Sequence, residues 1–180
     1  MAQVQMPFNW KDAELVDFKV VNEDWQYYNL SDKSKIRVKL VLGQVWRSTT
    51  QYDNLGQPLY VWNSQNITAL VSFPSTFRGE PTNLPLTPDM VAQSIDEVVE
   101  FETSGKQDEW SAYTFVDGSK LRLRLNLTSI ARTKLRGQAG EPIYNVSGGV
   151  PNYRLTVSPS LIKKLDKQIT TSDSKSSIYR

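Results

Sequence analysis

Chemistry in this chain has to come from carboxylates, hydroxyls, amides, cations and aromatic rings, because its 180 residues include no histidine and no cysteine. That removes disulfides, thiolate nucleophiles, the usual zinc and copper ligand sets and every scheme that needs an imidazole near neutral pH. Ser-His-Asp and Cys-His enzymes are therefore excluded. Two groupings of the remaining residue types stand out. Lys35, Arg37 and Lys39 alternate with apolar residues, and Lys120, Arg122 and Arg124 do the same, with Trp25, Tyr27 and Trp110 close upstream. Cations neutralise phosphates and release counterions, and aromatic rings stack on unpaired bases, so the combination points to RNA or single-stranded DNA. The plainer reading is a solvated outer strand face, where Lys and Arg discourage edge-to-edge aggregation. Ala112 and Val116 stand where the first set has Tyr27 and Ser31, so the second set lacks the full pattern. Trp25 and Trp110 also fit as core residues capping a barrel end.

The second grouping is a pair of acids, Asp32 and Asp117, each followed two residues later by serine. An acid and base pair of carboxylates can hydrolyse glycosides, and oxygen ligands can hold a hard cation. An Asp at that place in a hairpin turn is also what its side-chain hydrogen bond to the backbone favours. No acid cluster has metal-ligand spacing, so neither a metal nor a cofactor is expected, and the chain reads as non-enzymatic. Ser147-Gly148-Gly149 lacks the length and setting of a phosphate loop and, like residues 63–66, is read as a turn.

Both groupings occur twice because the chain matches itself. Residues 25–50 laid on 110–135 give 26 ungapped pairs, of which nine are identical: Trp25/Trp110, Tyr28/Tyr113, Asp32/Asp117, Ser34/Ser119, Lys35/Lys120, Arg37/Arg122, Leu40/Leu125, Leu42/Leu127 and Arg47/Arg132. The match resumes at Gly56/Gly140, Pro58/Pro142 and Tyr60/Tyr144, then at Leu70/Leu155, Pro74/Pro159 and Ser75/Ser160. Such self-similarity is the mark of an internal duplication. Units of about 60 to 70 residues bury too little surface to be robust alone, so the two are expected to share contacts.

Periodicity makes the units all-β. Lys35 to Leu42 and Lys120 to Leu127 alternate like half-buried strands, and in both the apolar phase then slips by one, to Val45 and Ile130, as a β-bulge would cause. A shorter strand, 25–31 or 110–116, leads into each through a hairpin turn. Sharing a face between Tyr28, Leu30, Ile36 and Val38 suggests a register that pairs Asn29 with Arg37, Tyr27 with Lys39 and Trp25 with Val41. Further strands are expected at 15–20 and 98–102, 58–63 and 142–146, and 67–73 and 152–158. Five short strands per unit predict a tandem pair of small SH3-like or OB-like barrels. The expected organisation is a first barrel over 1–78, a connector over 79–97, a second barrel over 98–160 and a short helix with a polar, disordered tail over 161–180. In the connector, Thr87-Pro88-Asp89 opens a helix carrying Met90, Val91, Ile95 and Val98 as one stripe.

Charge adds little, at +2 overall with 21 basic and 19 acidic residues, but it is unevenly spread. Residues 81–105 hold five acids and no bases, while 106–160 hold eight bases against four acids. The start, MAQVQMPFNW, lacks a basic region followed by an apolar core, and no stretch approaches the roughly 18 apolar residues of a membrane span. The chain is thus expected to be soluble and cytoplasmic, with no membrane partner, and its four N-x-[ST] sequons are read as chance. The reading is a binding module with RNA or single-stranded DNA as partner. Its rival is a structural subunit or adaptor that meets another protein or its own copy through apolar and aromatic surface.

Overall fold

The computed structural model describes residues 7–105 and 110–164. Within them the fold is mostly β, with one short helix: β1 (Ala13–Leu15), β2 (Phe18–Asn22), β3 (Gln26–Leu30), β4 (Lys35–Tyr52), β5 (Pro58–Ser72), α1 (Pro88–Gln93), β6 (Ile95–Val99), β7 (Phe101–Thr103), β8 (Trp110–Phe115), β9 (Lys120–Arg124), β10 (Leu127–Arg136), β11 (Pro142–Gly148) and β12 (Asn152–Thr156). Three antiparallel sheets result. One runs β1-β4-β3-β7 with β5 along the other side of β4, a second β12-β9-β8-β2 and a third β11-β10-β6. No closed barrel is found among the described residues. The physical reason lies in the pairing of β2 and β7, which each leave their own half of the chain.

β2 pairs with β8, Phe18 opposite Phe115, and β7 pairs with β3, Phe101 opposite Leu30. The chain segments after β5 and β12 also cross over. Gly79 donates its N–H to the carbonyl of Gly140 at 3.0 Å, and Lys163 donates to the carbonyl of Gly56 at 2.9 Å. A single apolar cluster follows, in which Ile36, Val38, Leu40, Leu42 and Val45 of β4 meet Tyr113, Phe115, Leu121, Leu123 and Ile130.

The two hairpins behind this core are built alike. Leu30 and Ser34 close one turn and Phe115 and Ser119 the other, with Lys33 or Gly118 in the left-handed conformation (φ 69° and 86°). Asp32 and Asp117 each accept the backbone N–H two residues on, at 2.9 Å, so the aspartate lies inside the loop and caps it. The loop therefore spans residues 31–33, and the register differs from the expected one by two residues. Asn29 faces Lys35, Tyr27 faces Arg37 and Gln26 faces Val38. A shift of two preserves the faces, which is why the inward and outward assignments stand.

The bulge after Leu42 is present: Leu42 pairs with Ser64 and Gln44 with Asn63, leaving Gly43 as the extra residue. It lets β4 bend while β5 follows it unbroken, so residues 63–66 are strand and not the expected turn. In the other half the same path is cut in two. β11 ends at Gly148, and Gly149, Val150 and Pro151 separate it from β12, Pro151 having no N–H to give a ladder. α1 has its Thr87 cap and Pro at the start, but it ends at Gln93, and Ile95 and Val98 are in β6 because that segment finds a partner in β10. A 3-10 turn over Pro159–Leu161 follows Ser158. The turn stops there, with Ile162 already extended and no helix over 162–164, so the short helix expected from 161 is absent as far as 164, and the polar tail lies outside the described residues.

Gly56 and Gly140 have φ of 75° and 78°, and a Cβ on either would collide with the backbone carbonyl of the crossing segment, Lys163 or Gly79 respectively. Gly140→Ala should therefore lower stability by about 2–4 kcal/mol, combining left-handed strain with overpacking. Gly105→Ala, also at positive φ (88°) but with nothing within 4 Å, is the control. Denaturant titration should show a clearly larger loss for Gly140→Ala, and equal losses would mean that the crossing segment gives way.

Candidate functional site

Asp32 and Asp117, the two acids that could have served catalysis, each have both carboxylate oxygens engaged. Beyond the turn, the second oxygen of Asp117 accepts from the Arg47 guanidinium at 2.8 Å and from the Tyr60 hydroxyl at 2.7 Å. Tyr60 also meets the Ser119 hydroxyl at 3.1 Å. In the mirror arrangement Asp32 accepts from Arg132 at 3.1 Å and from Tyr144 at 2.7 Å, and the Tyr144 hydroxyl also meets that of Ser34 at 2.7 Å. Every member of one cluster matches a member of the other in the self-alignment, and in each the Asp and Ser come from one half of the chain and the Arg and Tyr from the other. Glu14 and Glu97 complete the arginines at 2.9 and 2.6 Å.

The site electrostatics follow from this saturation. Burial works against ionising Asp117, but hydrogen bonds from Tyr60 and Ser119 and the Arg47 charge outweigh it and hold its carboxyl below the usual value. Burial pushes the Tyr60 phenol up to about 12, and the adjacent Asp117 carboxylate adds to the effect. Tyr144 rises for the same reasons beside Asp32. These groups are clamps between the halves. No group of three or more acids that could hold a metal ion occurs among the described residues.

The basic faces are unequal. On the first sheet, Arg37 lies over the Trp25 ring at 4.4 Å, with its Nε buried and without a hydrogen-bond partner. Lys39 pairs with Glu23 at 3.2 Å, and the other oxygen of Glu23 accepts from the Tyr113 hydroxyl. Lys35 stands opposite Asn29, which in turn faces Glu102. Tyr27 is half-buried opposite Arg37. Acids thus border this face, and its arginine is packed down.

The second sheet is different. Its outward positions form three cross-strand rows: Lys19-Thr114-Lys120-Thr156, Asn22-Ala112-Arg122-Arg154 and Trp110-Arg124-Asn152. Five cations and one tryptophan share this face, and no carboxylate occupies any of the rows. Lys19, Lys120, Arg122 and Arg154 are exposed, and none forms a salt bridge among the described residues. Around Trp110 the guanidinium carbons of Arg154, Arg122 and Arg124 lie 4.6, 5.3 and 5.3 Å from the ring. Both tryptophans are half-buried on outer faces, so neither is a core residue capping a barrel.

The structure therefore separates the nine candidate residues into two groups on different sheets, Trp25, Tyr27, Lys35, Arg37 and Lys39 on one and Trp110, Lys120, Arg122 and Arg124 on the other. Sequence reasoning missed Lys19 and Arg154. Arg154 carries a signal, since it alternates with Tyr153 and Leu155 in an expected strand. Lys19 carries none, because its strand joins this sheet from the other half of the chain.

No helix among the described residues is long and apolar enough to cross a membrane. No protein family, curated protein or solved structure matches the chain.

The clamps make stability depend on pH at both extremes. Asp117 ionises more readily when folded, so its contribution is present above about pH 4 and is lost as pH falls through the folded value. Tyr60 keeps its proton when folded, so its contribution is present below about pH 10 and is lost as pH rises toward about 12. In denaturant titrations, Asp117→Asn should cost about 1.5–3 kcal/mol at pH 7 and flatten the acid slope. Tyr60→Phe should flatten the alkaline slope, and an unchanged slope would remove the clamp from the ionisation balance.

Proposed function

We propose that this protein is a cytoplasmic, non-enzymatic binding module for RNA or single-stranded DNA, and that its ligand lies on the outer face of the β12-β9-β8-β2 sheet. The observation that carries this reading is five cations and Trp110 on a face whose paired outward positions hold no acid. Carboxylates elsewhere neutralise their arginines, at Arg47 and Arg132, so paired rows without an acid suit an external anion. Binding is favoured over hydrolysis because Asp32 and Asp117 are spent in the clamps.

The ancestry we propose is a tandem duplication of a small five-stranded unit, SH3-like or OB-like, with copies over 1–78 and 98–160. Exchange of the second strand of each copy would open both barrels and bring Lys19 onto the second face. Both faces are then products of both copies, and they differ in what the exchange delivers, Lys19 to the second face and Glu102 to the first.

A second reading, a protein partner or self-association, draws on a separate patch. Phe8, Trp10 and Trp46 stack edge to face at 4.9 and 5.4 Å, and Trp10 and Leu15 are 57% and 66% exposed beside them. Exposed aromatic clusters of this kind suit a protein surface.

Binding to labelled single-stranded oligonucleotides between about 50 and 200 mM salt distinguishes the two. We expect affinity to fall steeply with salt, and Arg122→Glu/Arg154→Glu to reduce the log-log slope by about 1.4 for two lost phosphate contacts. Absence of binding at low salt by the folded protein would overturn the nucleic-acid reading and direct attention to the Trp10 patch.

A further inference from the structure

Trp110 is poorly placed to be the stacking platform that an aromatic residue on a nucleic-acid face usually provides. A base that stacks needs an open ring face, and three guanidiniums already surround this ring within 4.6 to 5.3 Å. A cation within about 6 Å of a ring centroid is held by the ring's quadrupole, more firmly for Trp than for other side chains. The three come from adjacent strands: Arg122 and Arg124 from β9, and Arg154 from β12, where it faces Arg122 directly. Two like charges placed opposite each other repel, and the cross-strand position alone would destabilise the pair. The Trp110 ring, 5.3 and 4.6 Å from the two guanidinium carbons, supplies compensating attraction.

We infer that Trp110 is a positioning residue, and that the face reads a chain of phosphates independently of the bases attached to it. This deepens the proposed function and rests on it. A guanidinium presents its N–H donors in a rigid fork that matches a phosphate bidentately. Arg122 and Arg154, side by side on neighbouring strands about 4.8 Å apart, suit phosphates on one strand, and Lys120 and Lys19 extend the track as point charges along the next row. No outward position of the rows offers an unoccupied aromatic ring, and the side-chain amides there, Asn22 and Asn152, lie at the edges of the sheet. The first face does not share the property, since its single arginine over a ring, Arg37, has no second guanidinium opposite it and Lys39 is neutralised by Glu23.

The phosphate chain could belong to RNA, to DNA or to inorganic polyphosphate, and three probes separate these sources. The full-length protein is titrated with a base-bearing single-stranded oligonucleotide, an abasic deoxyribose-phosphate strand of the same length, and polyphosphate of similar charge, with the intrinsic fluorescence of the tryptophans recorded. We expect the abasic and base-bearing strands to bind within about threefold of each other, as counterion release depends on charge and not on bases. Polyphosphate should compete for the same face. Trp110→Ala should weaken both strands by about tenfold to the same extent, the value of one cation–π contact. Because Trp110→Ala could disturb folding, Arg122→Lys/Arg154→Lys serves as the second variant, keeping all five charges but losing the forks, and should weaken both strands by a similar factor.

An abasic strand that binds at least about tenfold more weakly than its base-bearing counterpart, with strong quenching, would overturn the inference, since stacking is worth that much per base. The nucleic-acid reading would then stand with Trp110 as a platform. Unchanged binding by the lysine variant would also overturn it. No binding of any probe at about 50 mM salt would overturn the proposed function and this inference together.

Discussion

Two aspartates set the terms for the rest of the fold. Asp32 and Asp117 each use one oxygen to hold their own hairpin turn and the other to hold an arginine and a tyrosine from the opposite half. An arginine taken this far from water is costly unless its charge is met and its donors are used, and here both conditions are satisfied only when the halves are together. The serines, Ser34 and Ser119, are fully buried on the same tyrosines, so removing the opposite half would strand hydroxyls as well as charges. Apolar burial drives the halves into contact, and the clamps select the arrangement in which these buried carboxylates, guanidiniums and hydroxyls meet one another.

The identities in the self-alignment acquire a physical explanation from this arrangement. Asp, Ser, Arg and Tyr match because each is needed at both ends of a pseudosymmetric contact, and Gly56 and Gly140 match because a backbone crosses over each of them. Tyr28 and Tyr113 match as core residues, and the leucines as the inward phase of the long strands. The residues that differ do so where the surroundings differ. The first half carries Glu23 against Lys39 and keeps its long strands intact, whereas in the second half the strand after β11 breaks at Pro151.

Strand existence and facing were legible in the sequence because alternation records which side of a strand is buried, and the bulge at Gly43 was legible because it shifts that alternation. Register was not, since a slip of two residues leaves the pattern unchanged. The turn begins one residue before the Asp that marked it, a detail that alternation does not encode. Connectivity was hidden for a different reason: a strand two residues removed from its neighbour in sequence can pair with either half, and nothing in Phe18 to Asn22 declares that its partner is β8. The basic face was half legible for this reason. Arg122 and Arg124 lie in one periodic run, but Lys19 reaches the same surface only because β2 pairs with β8, and the lack of an acid in its paired rows emerges only when four strands from two regions are laid side by side.

The crossing segments also constrain how the molecule can be made. As the chain emerges from a ribosome, β3 to β5 are complete long before Asp117 can reach Arg47, before Phe115 can face Phe18, and before Lys163 can close over Gly56. The first half waits, with its charged clamp residues still hydrated and the inner face of β4 uncovered, until nearly all of the described chain has been synthesised. Its native state is accordingly reached late, as expected for a topology dominated by contacts distant in sequence. The exposed β4 face during that interval is the point at which such a protein would call on a chaperone.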